Sequence, residues 1–185
     1  ILILLLTMPI ARAMEDSSTQ LVQHYPGYQK YTNRPYGYEI VLSDNLHLNE
    51  DIVSVKSRFE SEDIVVEVLY DNFYNTINSY LTYLNYGNRG ILRNPEFKIT
   101  NEYNHYFGNL LGRITLFERR KVKTDEPDRN YYATIAFVRS RNEVVTVFMK
   151  SSRPIYIQKI MPEFKFIEKS GTLKKDVVFS PEIKN

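Results

Sequence analysis

The sequence predicts an α+β fold, a mainly antiparallel twisted sheet of about six or seven strands with helices packed on its faces. Three observations point there. Runs of alternating apolar and polar residues recur between short polar turns, which is the period of half-buried strands. Two other stretches switch to the helical period. The resulting order, β-β-β-α-(β)-β-β-β-α, groups strands into runs separated by single helices, whereas an α/β chain alternates the two.

Each element has its own signal. Residues 36–42 form a first strand, with Tyr36, Tyr38 and Ile40 on one face and Val41 on the other, ended by Asp44-Asn45. Residues 53–59 alternate, Val53, Val55, Ser57 and Phe59 against Ser54, Lys56 and Arg58. Ser61-Glu62-Asp63 then turns the chain, and residues 64–70 are rich in β-branched side chains, so the two runs read as a hairpin. Over residues 72–88 the period changes: Ile77, Tyr80, Leu81 and Leu84 sit at i, i+3, i+4 and i+7, one face of a helix. Asn75 is its candidate N-cap, and Gly87 or Gly90 its stop. Residues 97–106 read as a short strand, and Gly108 and Gly112 bracket the turn after it.

Residues 113–122, 131–139 and 143–150 read as three further strands. The loop 123–130 is charged and carries Pro127, whereas Ser140-Arg141-Asn142 is a short turn that makes the last two strands antiparallel neighbours. Residues 151–167 return to the helical period through Ile157, Ile160, Met161 and Phe164. Pro154 suits a first helical turn, but Pro162 would clash inside the helix, so a kink or two short helices are expected.

The chain of 185 residues suits one domain, since domains run about 100–200 residues. Hydrophobic residues make up 43% and charged residues 25%, enough apolar side chain to offset ordering entropy and to exclude a wholly disordered chain. Lys plus Arg is 24 against 22 for Asp plus Glu, a formal charge of +2, so no global basic field draws nucleic acid and none is expected as a partner. With no cysteine there is no disulfide frame, thiolate nucleophile or cysteine metal site. The 15 Tyr and 10 Phe recur at strand and helix spacings, which marks them as packing residues.

The run Ile-Leu-Ile-Leu-Leu-Leu-Thr-Met-Pro-Ile ahead of Ala11-Arg12-Ala13 reads as the remnant of a secretory signal peptide over residues 1–13. Cleavage after Ala13 leaves Met14 first and no membrane segment behind. A secreted or cell-surface bacterial location follows, and export without cysteines is common where the cell has one membrane. Residues 14–30 read as a polar arm, 31–169 as the single α+β domain, and 170–185 as a linker or tail leading to further chain. Tyr25, Tyr28 and Tyr31 on the arm are expected to pack on the domain.

Catalytic motifs are few. His24, His47 and His105 are widely spaced, no G-x-S-x-G or phosphate-binding glycine loop occurs, and no cofactor or metal is expected. Asp125, Glu126 and Asp128 lie among Arg119, Arg120, Lys121, Lys123 and Arg129, where mutual neutralisation is the expected outcome. Glu67 and Glu118 sit within strands without a sequence-visible partner. The best binding candidates are Arg119, Arg120 and Lys121 with Tyr131 and Tyr132, since basic groups attract anionic polymers and tyrosine faces stack on sugar rings.

The segments Tyr31-Thr-Asn-Arg-Pro-Tyr-Gly-Tyr-Glu-Ile, Val55-Lys-Ser-Arg-Phe, Tyr80-Leu-Thr-Tyr-Leu-Asn, Arg113-Ile-Thr-Leu-Phe-Glu-Arg-Arg-Lys, Asp128-Arg-Asn-Tyr-Tyr-Ala and Val147-Phe-Met-Lys-Ser-Ser carry a resemblance. Together, across about residues 31–169, they resemble the N-terminal accessory domain of secreted Firmicutes glycoside-hydrolase-like proteins, with a PsbP-like layout. The resemblance implies a secreted, non-catalytic accessory or binding module of a polysaccharide-acting protein. Its implied partners are cell-wall or extracellular polysaccharide and a C-terminal catalytic domain. Two alternatives stand beside it: a free-standing envelope glycan-binding protein, and a small hydrolase whose carboxylates meet only in three dimensions.

Overall fold

A computed structural model of the chain describes residues 19–52, 56–72, 96–120, 129–140 and 143–170. Among these are eleven strands and one short helix: β1 (Thr19–Tyr25), β2 (Tyr28–Asn33), β3 (Tyr38–Ser43), β4 (His47–Ile52), β5 (Lys56–Glu60), β6 (Ile64–Asn72), β7 (Phe97–Phe107), β8 (Leu110–Arg120), β9 (Arg129–Ser140), β10 (Glu143–Ser151), α1 (Ile157–Ile160) and β11 (Glu163–Phe166). They form two sheets, a four-stranded one in the order β1-β2-β3-β11 and a seven-stranded one in the order β4-β5-β6-β10-β9-β8-β7. Every pairing is antiparallel.

The two sheets pack face to face over one core. Tyr31, Tyr38, Ile40, Leu42 and Phe164 from the smaller sheet meet Phe59, Val66, Val68, Ile135, Phe137, Val145 and Val147 from the larger, all at most 2% exposed. Alternation along the strands selects these residues, because side chains two apart share a face. The rings of Phe137 and Phe164 stack across the interface at 4.0 Å between centroids, and Tyr31 meets Phe59 edge-on at 5.1 Å. The Tyr31 hydroxyl also sits 2.8 Å from Ser57 Oγ, so the polar atom of a buried tyrosine is satisfied from the opposite sheet.

The α+β expectation is therefore corrected: two packed antiparallel sheets replace a sheet flanked by helices. The reason lies mainly in residues 151–167. Their helical stripe does reach the core, with Ile157, Met161 and Phe164 buried, but only Ile157–Ile160 coil. Pro162 cannot continue a helix. Beyond it Glu163–Phe166 extends as β11 and pairs with β3, Glu163 opposite Val41 and Phe166 opposite Tyr38. The helix expected over 72–88 lies outside the described residues apart from Asn72, which ends β6.

The described part of the polar arm carries strands. This part, residues 19–30, contains β1 and the start of β2, joined through Pro26-Gly27 and paired from Thr19↔Asn33 to Tyr25↔Tyr28. Polar side chains such as Gln20 and Lys30 mask the alternation there, because they lie on the face of this sheet turned away from the core. Residues 1–18, including the expected signal remnant, and 171–185 of the tail are outside the described residues.

The hairpin β5–β6 and the neighbours β9–β10 form as the alternation and short turns predict. The strand over 97–106 is longer than expected. β7 runs eleven residues and pairs with β8 from Phe97↔Arg119 to Phe107↔Leu110. Its mixture of exposed polar residues is that of an edge strand.

Gly37 begins the return into β3 at φ 67. A Cβ there would meet Arg139 Nη1, the Ile167 carbonyl and Lys169 Cγ. That closeness reflects a clasp. Arg139 donates to the carbonyls of Gly37 and Ile167 at 3.2 and 2.8 Å, and lies 3.5 Å from the Glu143 carboxylate. Lys169 pairs with the same Glu143, and Tyr70 donates to it at 3.0 Å. The segment after β11 is thus fastened to the hairpin before β3 and to the larger sheet.

Candidate functional site

The sequence-derived binding group does not assemble as a platform; of its members, Tyr132 and Arg119 lie on the face of the seven-stranded sheet away from the core. Tyr132 is 6% exposed; its ring packs edge-on against Phe97 at 5.0 Å and near Phe148 at 6.0 Å, so neither face is open for stacking. Arg119 donates to Glu96 at 3.0 Å and lies 5.7 Å from the centre of the Phe97 ring. Tyr131 is half-buried and, one residue along from Tyr132, points to the opposite side of the sheet. The backbones of Arg120 and Arg129 are partners at the end of the β8–β9 ladder. Lys121 lies outside the described residues.

A different group of residues surrounds a cleft of ≈ 430 Å³. This is within the range of about 300–1,000 Å³ usual for small-ligand sites. It opens between the smaller sheet and the tip of the β7–β8 hairpin. Lys30 of β2, Glu39 and Val41 of β3, and Glu163 and Lys165 of β11 supply one wall, Gly108-Asn109-Leu110 the other, with His24 at the rim. Strand register produces the polar row. Lys30 and Glu163 are each opposite Val41, and Lys165 is opposite Glu39, so alternation brings all of them to the outward face. Phe164, Phe166, Val41 and Leu110 add apolar surface.

Glu39 is the electrostatic centre of the wall. Its side chain is 13% exposed, and Lys165 Nζ lies 2.6 Å from Oε2 while Lys30 Nζ lies 3.8 Å from Oε1. Thr32 donates to Oε1 at 3.3 Å. Burial alone would raise the Glu39 pKa, but Lys165, Lys30 and Thr32 outweigh it and hold the carboxyl below its ordinary value. Lys165 lies close against Oε2, so the charge of this buried oxygen is balanced.

The cleft brings two carboxylates to one wall, Glu39 and Glu163. Sequence gave no sign of this pair, because Glu39 and Glu163 are far apart in the chain and meet only through the β3–β11 pairing. The signal that existed was for Glu39 alone, on the face of its strand shared with Val41 and opposite Tyr38 and Ile40. Of the other carboxylates noted in the sequence, Glu67 pairs with Lys56 at 2.8 Å and Arg58 at 3.4 Å, and Asp63 with Arg153 at 3.4 Å; Asp125 and Glu126 lie outside the described residues, as does Asp128. Among the described residues no three His, Cys, Asp or Glu side chains are grouped to hold a metal ion. No helix among them is long and apolar enough to cross a membrane.

No family model matches the chain. No curated protein matches it. Among solved structures, it is similar to the solution structure of cyanobacterial PsbP (CyanoP) from Synechocystis sp. PCC 6803, with 10% sequence identity over 69% of this chain and 82% of that one and a TM-score of 0.48. A likeness at that level carries no weight for function, and the architecture rests on the strand order and registers given above.

Proposed function

We propose that the chain is a secreted or cell-surface binding module for polysaccharide, without catalytic activity of its own, acting alongside a polysaccharide-degrading domain. The observation that carries the reading is the cleft between the smaller sheet and the β7–β8 hairpin. Hydrogen-bonding groups and apolar side chains both line it, and a sugar presents both hydroxyl edges and C–H faces. The charges of Glu39 are already balanced, so the wall offers acceptors and donors without an unpaired buried charge. The signal-like N-terminal run and the resemblance to accessory domains of glycoside-hydrolase-like proteins support the setting.

Retention on insoluble polysaccharide, with and without His24→Ala/Asn109→Ala at the rim, tests the site. Loss of retention in this variant, with Arg119→Ala/Arg120→Ala still retained, is expected. The opposite pattern would move the site to the outer face of the larger sheet.

A second reading, a small hydrolase, has one observation in its favour, the shared wall of Glu39 and Glu163. Glycosidases need paired carboxylates about 5–10 Å apart, one of them a general acid with a raised pKa. Glu39 is shifted the other way and could serve only as the ionised partner. Release of reducing ends that disappears in both Glu39→Gln and Glu163→Gln would favour this reading over the first.

A further inference from the structure

Resting on the reading of the cleft as a polysaccharide site, we infer that its ligand is an uncharged, hydroxyl-rich glycan and that Glu39 is the residue excluding acidic ones. Two features of the wall carry this. First, its fixed charges cancel: Lys30 and Lys165 face Glu39 and Glu163. Second, both lysines are already engaged, because Glu39 lies 2.6 Å from one and 3.8 Å from the other. A uronate or phosphate entering the cleft would compete with Glu39 for the same two ammonium groups and bring a further negative charge beside two carboxylates.

Glu39 therefore acts as a specificity residue. It holds the lysines in place and leaves no uncompensated positive charge on the wall for an anion to pair with. Removing its charge while keeping its shape should reverse the preference.

The test compares retention of wild type, Glu39→Gln and Glu163→Gln on a neutral β-glucan and on polygalacturonate. Measurements run from about 0.01 M to about 1 M NaCl, across which the screening length falls from about 30 Å to about 3 Å. Wild type should hold the neutral polymer at all salt concentrations and the acidic one weakly. Glu39→Gln should gain at least about tenfold in retention of polygalacturonate at low salt, equivalent to about 1.4 kcal/mol, and lose that gain at high salt. Glu163→Gln, at the more exposed position, should gain less and provides a second variant should the first fold poorly. Salt-sensitive retention of polygalacturonate by wild type, with no hold on the neutral polymer, would overturn the inference while leaving the polysaccharide reading standing. An unchanged preference in a folded Glu39→Gln would do the same. Failure of wild type and both variants to retain either polymer would overturn the polysaccharide reading itself, and the inference with it.

Discussion

Gly112 lies inside β8 at the point where three core side chains converge. A Cβ there would come within 2.8 Å of Phe107 and Phe137 and 3.0 Å of Ile135, all rigid or fully buried. Gly112→Ala should therefore destabilise the fold by about 1–3 kcal/mol through overpacking, read as a lower urea midpoint with little change in slope. Gly37→Ala carries two penalties, a left-handed φ worth roughly 1–2 kcal/mol and a collision with the Arg139 clasp. Its loss should exceed that of an alanine placed at an exposed turn. The spacing of Gly112 from Gly108 suggests a turn, because in a sequence a glycine looks the same whether it bends the chain or makes room for rings.

The charged clasp gives a prediction in pH. Burial would raise the Glu143 pKa, but hydrogen bonds from Lys169 and Tyr70 and the charges of Lys169 and Arg139 hold it below its ordinary value. Glu39 is lowered likewise by Lys165, Lys30 and Thr32 against the effect of burial. A carboxyl lowered in the folded state stabilises fully above its unfolded value, and that contribution is lost as pH falls through the folded one. Stability should thus fall from about pH 5 downward, and Glu143→Gln should flatten the fall. Urea midpoints measured across the acid range check this; parallel curves for the variant and wild type would count against it. Neither glutamate advertises its partner in the sequence, since Lys169 and Lys165 come from the far end of the domain.

At the scale of elements, β11 is the piece on which the smaller sheet and the cleft both depend. Phe164 is 2% exposed and touches Tyr38, Phe137 and Phe166 by ring contact. Phe164→Ala should cost about 3–5 kcal/mol, as large aromatic truncations in a packed core do. Lys165→Ala, on the other face of the same strand, should leave the thermal midpoint within a few degrees and change ligand retention instead. The contrast separates the structural face of β11 from its cleft face. The long hairpins were legible because their apolar residues alternate and their turns are short, as in 64–70 and 143–150. β11 was not, because four residues are too few for a period, and Ile157, Ile160, Met161 and Phe164 fit a helical spacing that only the first turn realises. β1 and β2 were hidden by the polar residues of a half-solvated sheet, though Tyr31 inside them is one of the best buried side chains.

For the whole molecule, one core spans both sheets, so the two should unfold together. Far-UV and near-UV signals are expected to give coincident denaturation curves, and separated midpoints would show that the smaller sheet melts by itself. Folding should fall in the millisecond-to-second class, because the defining pairings, β3 with β11 and β6 with β10, join distant parts of the chain. The first of these pairings also exposes the molecule to a particular accident. Until its fourth and last-made strand docks, β3 offers a free edge with Phe137 uncovered beneath it. The matching strand of another copy fits that edge as well as the chain's own does, so crowding during folding should yield strand-exchanged dimers, in which each copy is closed by the other's β11.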